Sequence, residues 1–464
     1  MVNYVSDEAA ALGRMPYLSP VEALASQALR PLQEARLADQ MGYLWARSAF
    51  YRRKLRAAGL APDDVRTLDD LRRVPFTTKQ ELRDSLRAAP PFGEHLAAPM
   101  HEVIQVQASS GTTGSPSYVA LTRRDARMWQ ESSARSLFAC GIRPGDRVLH
   151  GFSMSKGFVG GLPIFQALQY MGALDIPIGA DGGVERLLAA AFDLQPQAVV
   201  GTPNFLLHLA DAAQARLGRS VREIGVRRLV VGGEPGGGIP ALRARIEEAW
   251  GATLCELMGG TDLAVIYWAE CDAQDGMHMT APDFIHAELI EPESGEPKPF
   301  TEGATGELVY SALQREASPV LRFRSGDHVV VTRTRCSCGR VQPKIRCFGR
   351  TDDMLIVRGV NLFPSAVQDV VESMRPAVSG QVRIVADFDG HSTQANLKVL
   401  VERAEHEPPG LSPAALKQEI EARLRGALAV KADVLLAPHG SIEKPGAAKV
   451  RLVLREMPRL EGVA

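Results

Sequence analysis

The chain has 464 residues, 45% of them hydrophobic and 23% charged, the ordinary mix of a soluble globular protein. Its formal net charge of −1 supplies no global field that would draw it to nucleic acid or to an anionic membrane. At about 150 residues per domain, two or three domains are expected. Short basic clusters (Arg52, Arg53 and Lys54; Arg123 and Arg124; Arg227 and Arg228) read as solvated faces. The opening MVNYVSDEAAALGRMPYLSP lacks the basic-then-apolar profile of a signal peptide. No apolar run reaches the roughly 18 residues of a membrane span, so a cytoplasmic enzyme without nucleic-acid or membrane partners is expected.

Residues 1–100 read as mainly helical, with charged and apolar positions interleaved at about the helical period over 37–55 and 68–86. From Val103 the pattern changes to short β-branched runs that end in Gly-rich turns and lead into helix-like segments. The runs at 147–150, 198–200 and 228–231 are the clearest, and they predict an α/β unit with a mostly parallel sheet. Hairpin-like pieces at 306–313 and 328–332 predict a more antiparallel subdomain over 265–348. Past Gly349 come a strand at 354–357, a helix from Pro364 and strands at 381–386 and 397–402. A helix at 414–428 and a strand at 432–437 complete a β-α-β-β-α-β order. The expected architecture is a large N-terminal α/β domain of mixed sheets and helices (1–349) and a small α+β C-terminal lid (350–464).

Chemistry-bearing segments begin after the apolar stretch 103–106. Gly111 and Gly114 allow a tight turn whose N–H groups approach an anion, and Ser109, Ser110, Thr112 and Thr113 add hydroxyl donors. No Gly-Lys-Ser/Thr follows, so this is not a Walker loop. Alone, the run reads equally well as a polar surface hairpin. Cys271 and His278, with Cys336 and Cys338, make a sound tetrahedral zinc set of three thiolates and one imidazole. Four protein ligands leave no open position, which predicts a structural Zn²⁺; Asp275 and His286 are nearby and not needed. Cys140, Cys255 and Cys347 read as packing residues.

SSGTTGSP (109–116) resembles the phosphate-binding signature of adenylate-forming enzymes, and most closely that of the phenylacetate–CoA ligase family. The resemblance runs over nearly the whole chain, from FYRRKL (50–55) and PFTTK (75–79) through GTPNF (201–205), GGEP (232–235), MGGTD (258–262), RFRSGD (322–327) and GRTDDM (349–354). It implies an ATP-dependent ligase that adenylates a small, aromatic carboxylic acid, releases pyrophosphate and passes the acyl group to CoA or to a carrier protein's phosphopantetheine. Gly233, Glu234, Pro235 and Gly260 would line the nucleotide; Thr261 would contact the α-phosphate and Asp262 would hold Mg²⁺. Asp327 would accept from the ribose hydroxyls and Arg350 would contact the nucleotide. Phe152, Phe158, Met258 and Gly259 would form the acid pocket, Asp352 would be the hinge, and Lys449 the lid's catalytic cation. Some relatives place metal ligands at the same Cys/His positions, and a homodimer is also in keeping with the family.

The chain departs from the family pattern at Ser115 (usually Lys), Met258 (an aromatic), Asp262 (Glu), Glu443 (Pro) and Ala448 (Gly). These departures keep open a transfer to an amine or other acceptor, and a non-catalytic nucleotide-binding relative as a second class.

Overall fold

The computed structural model describes residues 16–108, 117–155, 157–234, 236–333, 335–351, 353–358, 360–406, 408, 410–443 and 451–458. The N-terminal helices α1 (Ser26–Arg47), α2 (Ala49–Ala57) and α3 (Lys79–Ala88) are separate pieces. The stretch 37–55 is helical as expected but divided at Ser48, whose side chain caps α2 by accepting from the Tyr51 N–H. The expected helix over 68–86 is interrupted as well. Pro75 cannot continue a helix, and Thr77 instead exchanges backbone hydrogen bonds with Arg322 and Arg324 at 2.9 Å each. Helix α3 restarts behind a capping box of Thr78 and Glu81, which sets Lys79 as its first residue.

The next elements in chain order are β1 (Val103–Ala108), β2 (Tyr118–Thr122), α4 (Arg123–Ala139), β3 (Arg147–His150), α5 (Leu162–Met171), β4 (Leu174–Ile176), α6 (Val184–Leu194) and β5 (Ala198–Gly201). They continue with α7 (Pro203–Leu217), β6 (Arg228–Val231), α8 (Pro240–Trp250), β7 (Thr253–Gly260), β8 (Ala264–Ala269), β9 (Met277–Met279), β10 (Ile285–Ile290) and β11 (Pro297–Lys298). The body closes with β12 (Thr305–Ala312), β13 (Phe323–Arg333) and β14 (Lys344–Arg350).

Among the described residues, twelve of these strands form one sheet in the order β11-β10-β12-β13-β14-β9-β8-β7-β6-β5-β3-β4. From β4 to β7 the neighbours are parallel; from β7 to β11 they are antiparallel. The parallel strands are buried on both faces, as their unbroken apolar runs require: Val148, Leu149, Val199, Val200, Leu229, Val230 and Val231 are all fully enclosed. Strand order reverses between β3 and β5, with β4 on one side and β6 and β7 on the other; parallel sheets open a crevice outside the carboxyl ends of their strands at such a switch point.

The C-terminal unit comprises β15 (Leu355–Val357), β16 (Val360–Leu362), α9 (Pro364–Glu372), β17 (Val378–Val385), β18 (Ser392–Thr393), β19 (Leu397–Arg403), α10 (Pro413–Leu428), β20 (Ala432–Ala437) and β21 (Val453–Leu454). It has its own core, built from Val367 and Val371 of α9, Ile384, Val399 and Val401 of the sheet, and Ile420 and Leu424 of α10. Among the described residues, no helix is long and apolar enough to cross a membrane.

Candidate active site

Four neighbouring parallel strands, β3, β5, β6 and β7, end along one edge of the sheet. β3 leads into Phe152, β5 into Thr202, β6 into Gly233 and Glu234, and β7 into the turn that carries Thr261 and Asp262. The strand ends are stitched together: the Gly151 N–H donates to Val200 O at 2.7 Å, and the Gly232 N–H to Gly201 O at 3.2 Å. Gly233 adopts φ +84°, and a Cβ placed there would stand 3.8 Å from the Phe152 ring and 3.9 Å from the Thr202 methyl. The Gly233 turn, expected at the nucleotide, therefore faces Phe152, expected in the acid pocket. Glu234 is held by Asn204, which donates through its backbone N–H at 3.2 Å and its side-chain amide at 3.0 Å. Pro235 lies outside the described residues, as do the expected phosphate-loop residues Ser109, Ser110, Gly111, Thr112, Thr113 and Gly114 together with Ser115.

The strands that flank that loop are described. Ala108 pairs with Tyr118 at the end of the β1–β2 ladder. The Ala108 N–H also donates to Gly157 O at 2.9 Å, and Ala108 bridges to Phe158. The root of the loop is thereby tied to the segment that carries Phe158.

Phe152 is buried in the main core, and Phe158 and Met258 are half-buried against the same cluster. The two phenyl rings lie 6.4 Å apart at 55°. Beneath them sits a fully enclosed imidazole: His150 Nε2 is 2.8 Å from Gly160 O, and its Nδ1 faces Asp175 at 3.2 Å. Through His150, the segment that carries Phe158 and Gly160 is tied to β3 and β4. Sequence reasoning missed the His150–Asp175 pair because it links residues on two different strands.

Gly259 occupies a bulge in β7 where the register with β8 shifts. A Cβ there would fall 1.7 Å from Val265 O, so only glycine fits. The next turn is held from below. Leu263 O accepts from Trp129 Nε1 at 2.8 Å and from the buried Arg315 guanidinium. Asp262 projects from this turn, and both its oxygens accept from Lys79 Nζ, at 2.6 and 2.8 Å. Lys79 is the main site residue that residue-by-residue reading did not single out. The capping box at Thr78, which fixes Lys79 at a helix start, was the available signal.

Asp327 on β13 and Arg350 on β14 are register partners, and their side chains pair at 3.2 Å. The Asp327 N–H is fixed by Ser325 Oγ at 3.0 Å. Burial, reinforced by the charges of Asp327 and Asp262, pushes the Tyr267 phenol well above the usual range. A Cβ on Gly260 would lie 3.4 Å from the Tyr267 hydroxyl oxygen, so the glycine turn, Asp262 and Asp327 share one neighbourhood. Asp352, Lys449, Lys444 and Ala448 lie outside the described residues.

The four expected metal ligands meet. Cys271 follows β8, His278 sits in β9, and Cys336 and Cys338 lie between β13 and β14; their ligand atoms all fall within 4.8 Å of one another. Cys271 Sγ is 3.5 Å from Cys336 Sγ and 3.7 Å from His278 Nε2, and Cys338 Sγ is 3.4 Å from His278 Nε2. Those separations match the edges of a tetrahedron with Zn–S of about 2.3 Å and Zn–N of about 2.0 Å. His278 Nδ1 faces Gln342 O at 3.4 Å, which leaves Nε2 for a metal. Buried ion pairs brace the knot, Arg340 with Glu22 at 2.8 Å and Lys344 with Asp275.

The AMP-binding enzyme family matches residues 31–314, and the C-terminal domain of AMP-binding enzymes matches residues 359–455. The phenylacetate–CoA ligase of Thermus thermophilus is 35% identical to this chain, over 95% of this chain and 99% of that protein. The Escherichia coli phenylacetate–CoA ligase is 33% identical over 92% and 95%. The chain belongs to the phenylacetate–CoA ligase family of AMP-binding enzymes. Among solved structures, it matches a 2-hydroxyisobutyryl-CoA ligase in its postadenylation state, bound to 2-HIB-AMP, at 30% identity with TM-score 0.87, covering 96% of this chain and 93% of that one. Against the same ligase in its thioesterification state the TM-score is 0.70, at 31% identity over 95% and 92%. Coverage and identity hardly differ between the two, so the drop reflects the arrangement of parts: this chain is arranged like the postadenylation form.

Proposed function

We propose that this AMP-binding enzyme activates a small aromatic carboxylic acid and transfers it to CoA. What supports the reading is the run of four parallel strand ends beside a topological switch point, which lead into the Phe152–Phe158 ring pair, the Gly233–Glu234 turn and the Thr261–Asp262 turn. In the first step the acid's carboxylate oxygen attacks the α-phosphorus of ATP, and the bond to the leaving pyrophosphate breaks. In the second, the CoA thiol, losing its proton, attacks the acyl carbon and AMP departs. Neither step needs a covalent bond to protein, so the chain contributes placement and electrostatics.

Phe152, Phe158 and Met258 would seat the acid's ring, with the Gly259 backbone completing the pocket. Thr261 would meet the α-phosphate, Asp327 would accept from the ribose hydroxyls, and Arg350 would turn from Asp327 towards the nucleotide. Asp262, an oxygen donor at a half-exposed turn, fits Mg²⁺, which when bound neutralises charge on the leaving phosphates. Lys79 would hold Asp262 in place and bring a positive charge to a site where Ser115 replaces the usual loop lysine. Lys449 would serve as the lid's cation, with Asp352 as the pivot at the boundary between 1–349 and 350–464. The Cys271, His278, Cys336 and Cys338 knot would hold a structural Zn²⁺, because four protein ligands leave no position for substrate.

The test is pyrophosphate release from ATP·Mg²⁺ over a panel of aromatic and short aliphatic acids, with and without CoA. Release that needs an aromatic acid and turns over only with CoA supports the proposal. Acid-dependent release that ignores CoA would move the acceptor to a carrier protein or a non-thiol group. Silence across the panel with ATP bound would favour a non-catalytic relative.

A further inference from the structure

The body and the lid meet through charge as well as through the hinge. On the body, α8 carries Arg245; on the lid, α9 ends in Glu372. Arg245 donates to Glu372 Oε1 at 3.0 Å across the boundary, with the arginine side chain 24% exposed and the glutamate 2%. A carboxylate this enclosed is costly without a cation. The lid supplies one of its own: Arg375, three residues on, lies 3.8 Å from the same Oε1. Arg375 is repelled by Arg245 and attracted by Glu372 and by Asp211 on α7 of the body, so the two arginines compete for one enclosed carboxylate. The seat is shaped for the carboxylate. Gly380 has φ +87°, and a Cβ there would come within 2.0 Å of Glu372 Oε2, so no other residue leaves it room.

We infer that Arg245 and Glu372 form a latch that holds the lid in the position for the first half-reaction, with Arg375 taking over the carboxylate when the lid turns. The proposal rests on the ligase reading above. Two facts favour it. The chain is arranged like the postadenylation form of a related ligase and less like its thioesterification form, and the pair joins elements on opposite sides of the hinge, so turning the lid separates them. Because Arg375 travels with the lid, opening the latch never leaves Glu372 without a cation, and the switch need not cross the full penalty of an unpaired buried charge. An interaction present in one lid position and absent from the other shifts the balance by its own free energy. Arg245 is thus a positioning residue that acts through the lid, away from the reacting atoms.

The experiment separates the half-reactions in the full-length enzyme. Acid-dependent ATP–pyrophosphate exchange reads the first, and thioester formation from supplied acyl-adenylate and CoA reads the second. Arg245→Ala is expected to lower exchange about five-fold, at the low end of ordinary coupling between sites, while thioester formation stays at or above the wild-type rate. Arg245→Lys is expected to retain most of the exchange. Equal loss in both half-reactions would mark Arg245 as merely structural and overturn the latch, as would unchanged exchange in Arg245→Ala. Absence of exchange in the wild-type protein would overturn the ligase reading and the latch with it. Exchange in the wild type with no effect of Arg245→Ala would overturn the latch alone.

Discussion

Replacing Lys79 by Met keeps most of the side chain's length and apolar stem while removing its ammonium from Asp262. The two Nζ–O distances are 2.6 and 2.8 Å, and the side chains are 30% and 17% exposed. Two unit charges about 4 Å apart attract by about 4 kcal/mol at an effective dielectric near 20. Desolvation and lost side-chain freedom offset much of that, leaving about 1–2 kcal/mol for a half-exposed, charge-assisted pair. Where that energy serves to hold the carboxylate beside the leaving phosphates, acid-dependent exchange falls about 5- to 30-fold at saturating ATP. The assay is ATP–pyrophosphate exchange in Lys79→Met, Asp262→Asn and the double variant. Residues acting as one unit give losses that do not multiply, so the double variant is expected to resemble the worse single one. Wild-type exchange in Lys79→Met, or losses that multiply cleanly, would refute the reasoning.

Three further outcomes follow from the same geometry. Cys338→Ser is expected to drop bound zinc from about one per chain to none by elemental analysis and to lower the melting temperature, because the knot would lose one of its four ligands; undiminished zinc would remove the metal assignment. Gly259→Ala drives a methyl into Val265 O, so urea unfolding should register a loss of about 3 kcal/mol or more, and wild-type stability would mean the bulge can relax. His95, packed beside Ser85 at 2.9 Å, has its pKa pushed down to about 4 by burial. The folded state keeps it neutral while the unfolded chain protonates it below about 6.5. Its contribution is therefore complete above pH 6.5 and is lost as pH falls towards 4, about 1–2 kcal/mol between pH 7 and pH 5. His95→Gln should flatten that slope in urea titrations; identical slopes would contradict it.

The features legible in the sequence are those set by local pattern. β3, β5 and β6 stand out because their residues are buried on both faces, and Gly259 and Gly233 fall at turns where glycine is required. The six expected elements of the C-terminal unit are present, but β16, β18 and β21, two or three residues each, are too short to show a period and were not foreseen. What escaped depends on contacts between distant segments. Lys79 and Asp262 are 183 residues apart in the chain, and they meet only because Thr77 docks on the start of β13. That docking also explains the broken helix: a strand-like bridge to Phe323 competes with helical continuation at Pro75. The metal ligands were visible as two separate pairs, and their convergence comes from β9 pairing with β14, which sets His278 opposite Lys344. His150 gave no signal, because its partners lie on the next strand and in the following loop.

The most direct test of the central claim is the identity of the products from ATP·Mg²⁺, CoA and each acid of an aromatic panel, resolved by chromatography and mass spectrometry. The account predicts that at least one acid yields its CoA thioester, AMP and pyrophosphate in equal amounts. ADP and phosphate in place of AMP and pyrophosphate, or nucleotide turnover without any thioester, would contradict it.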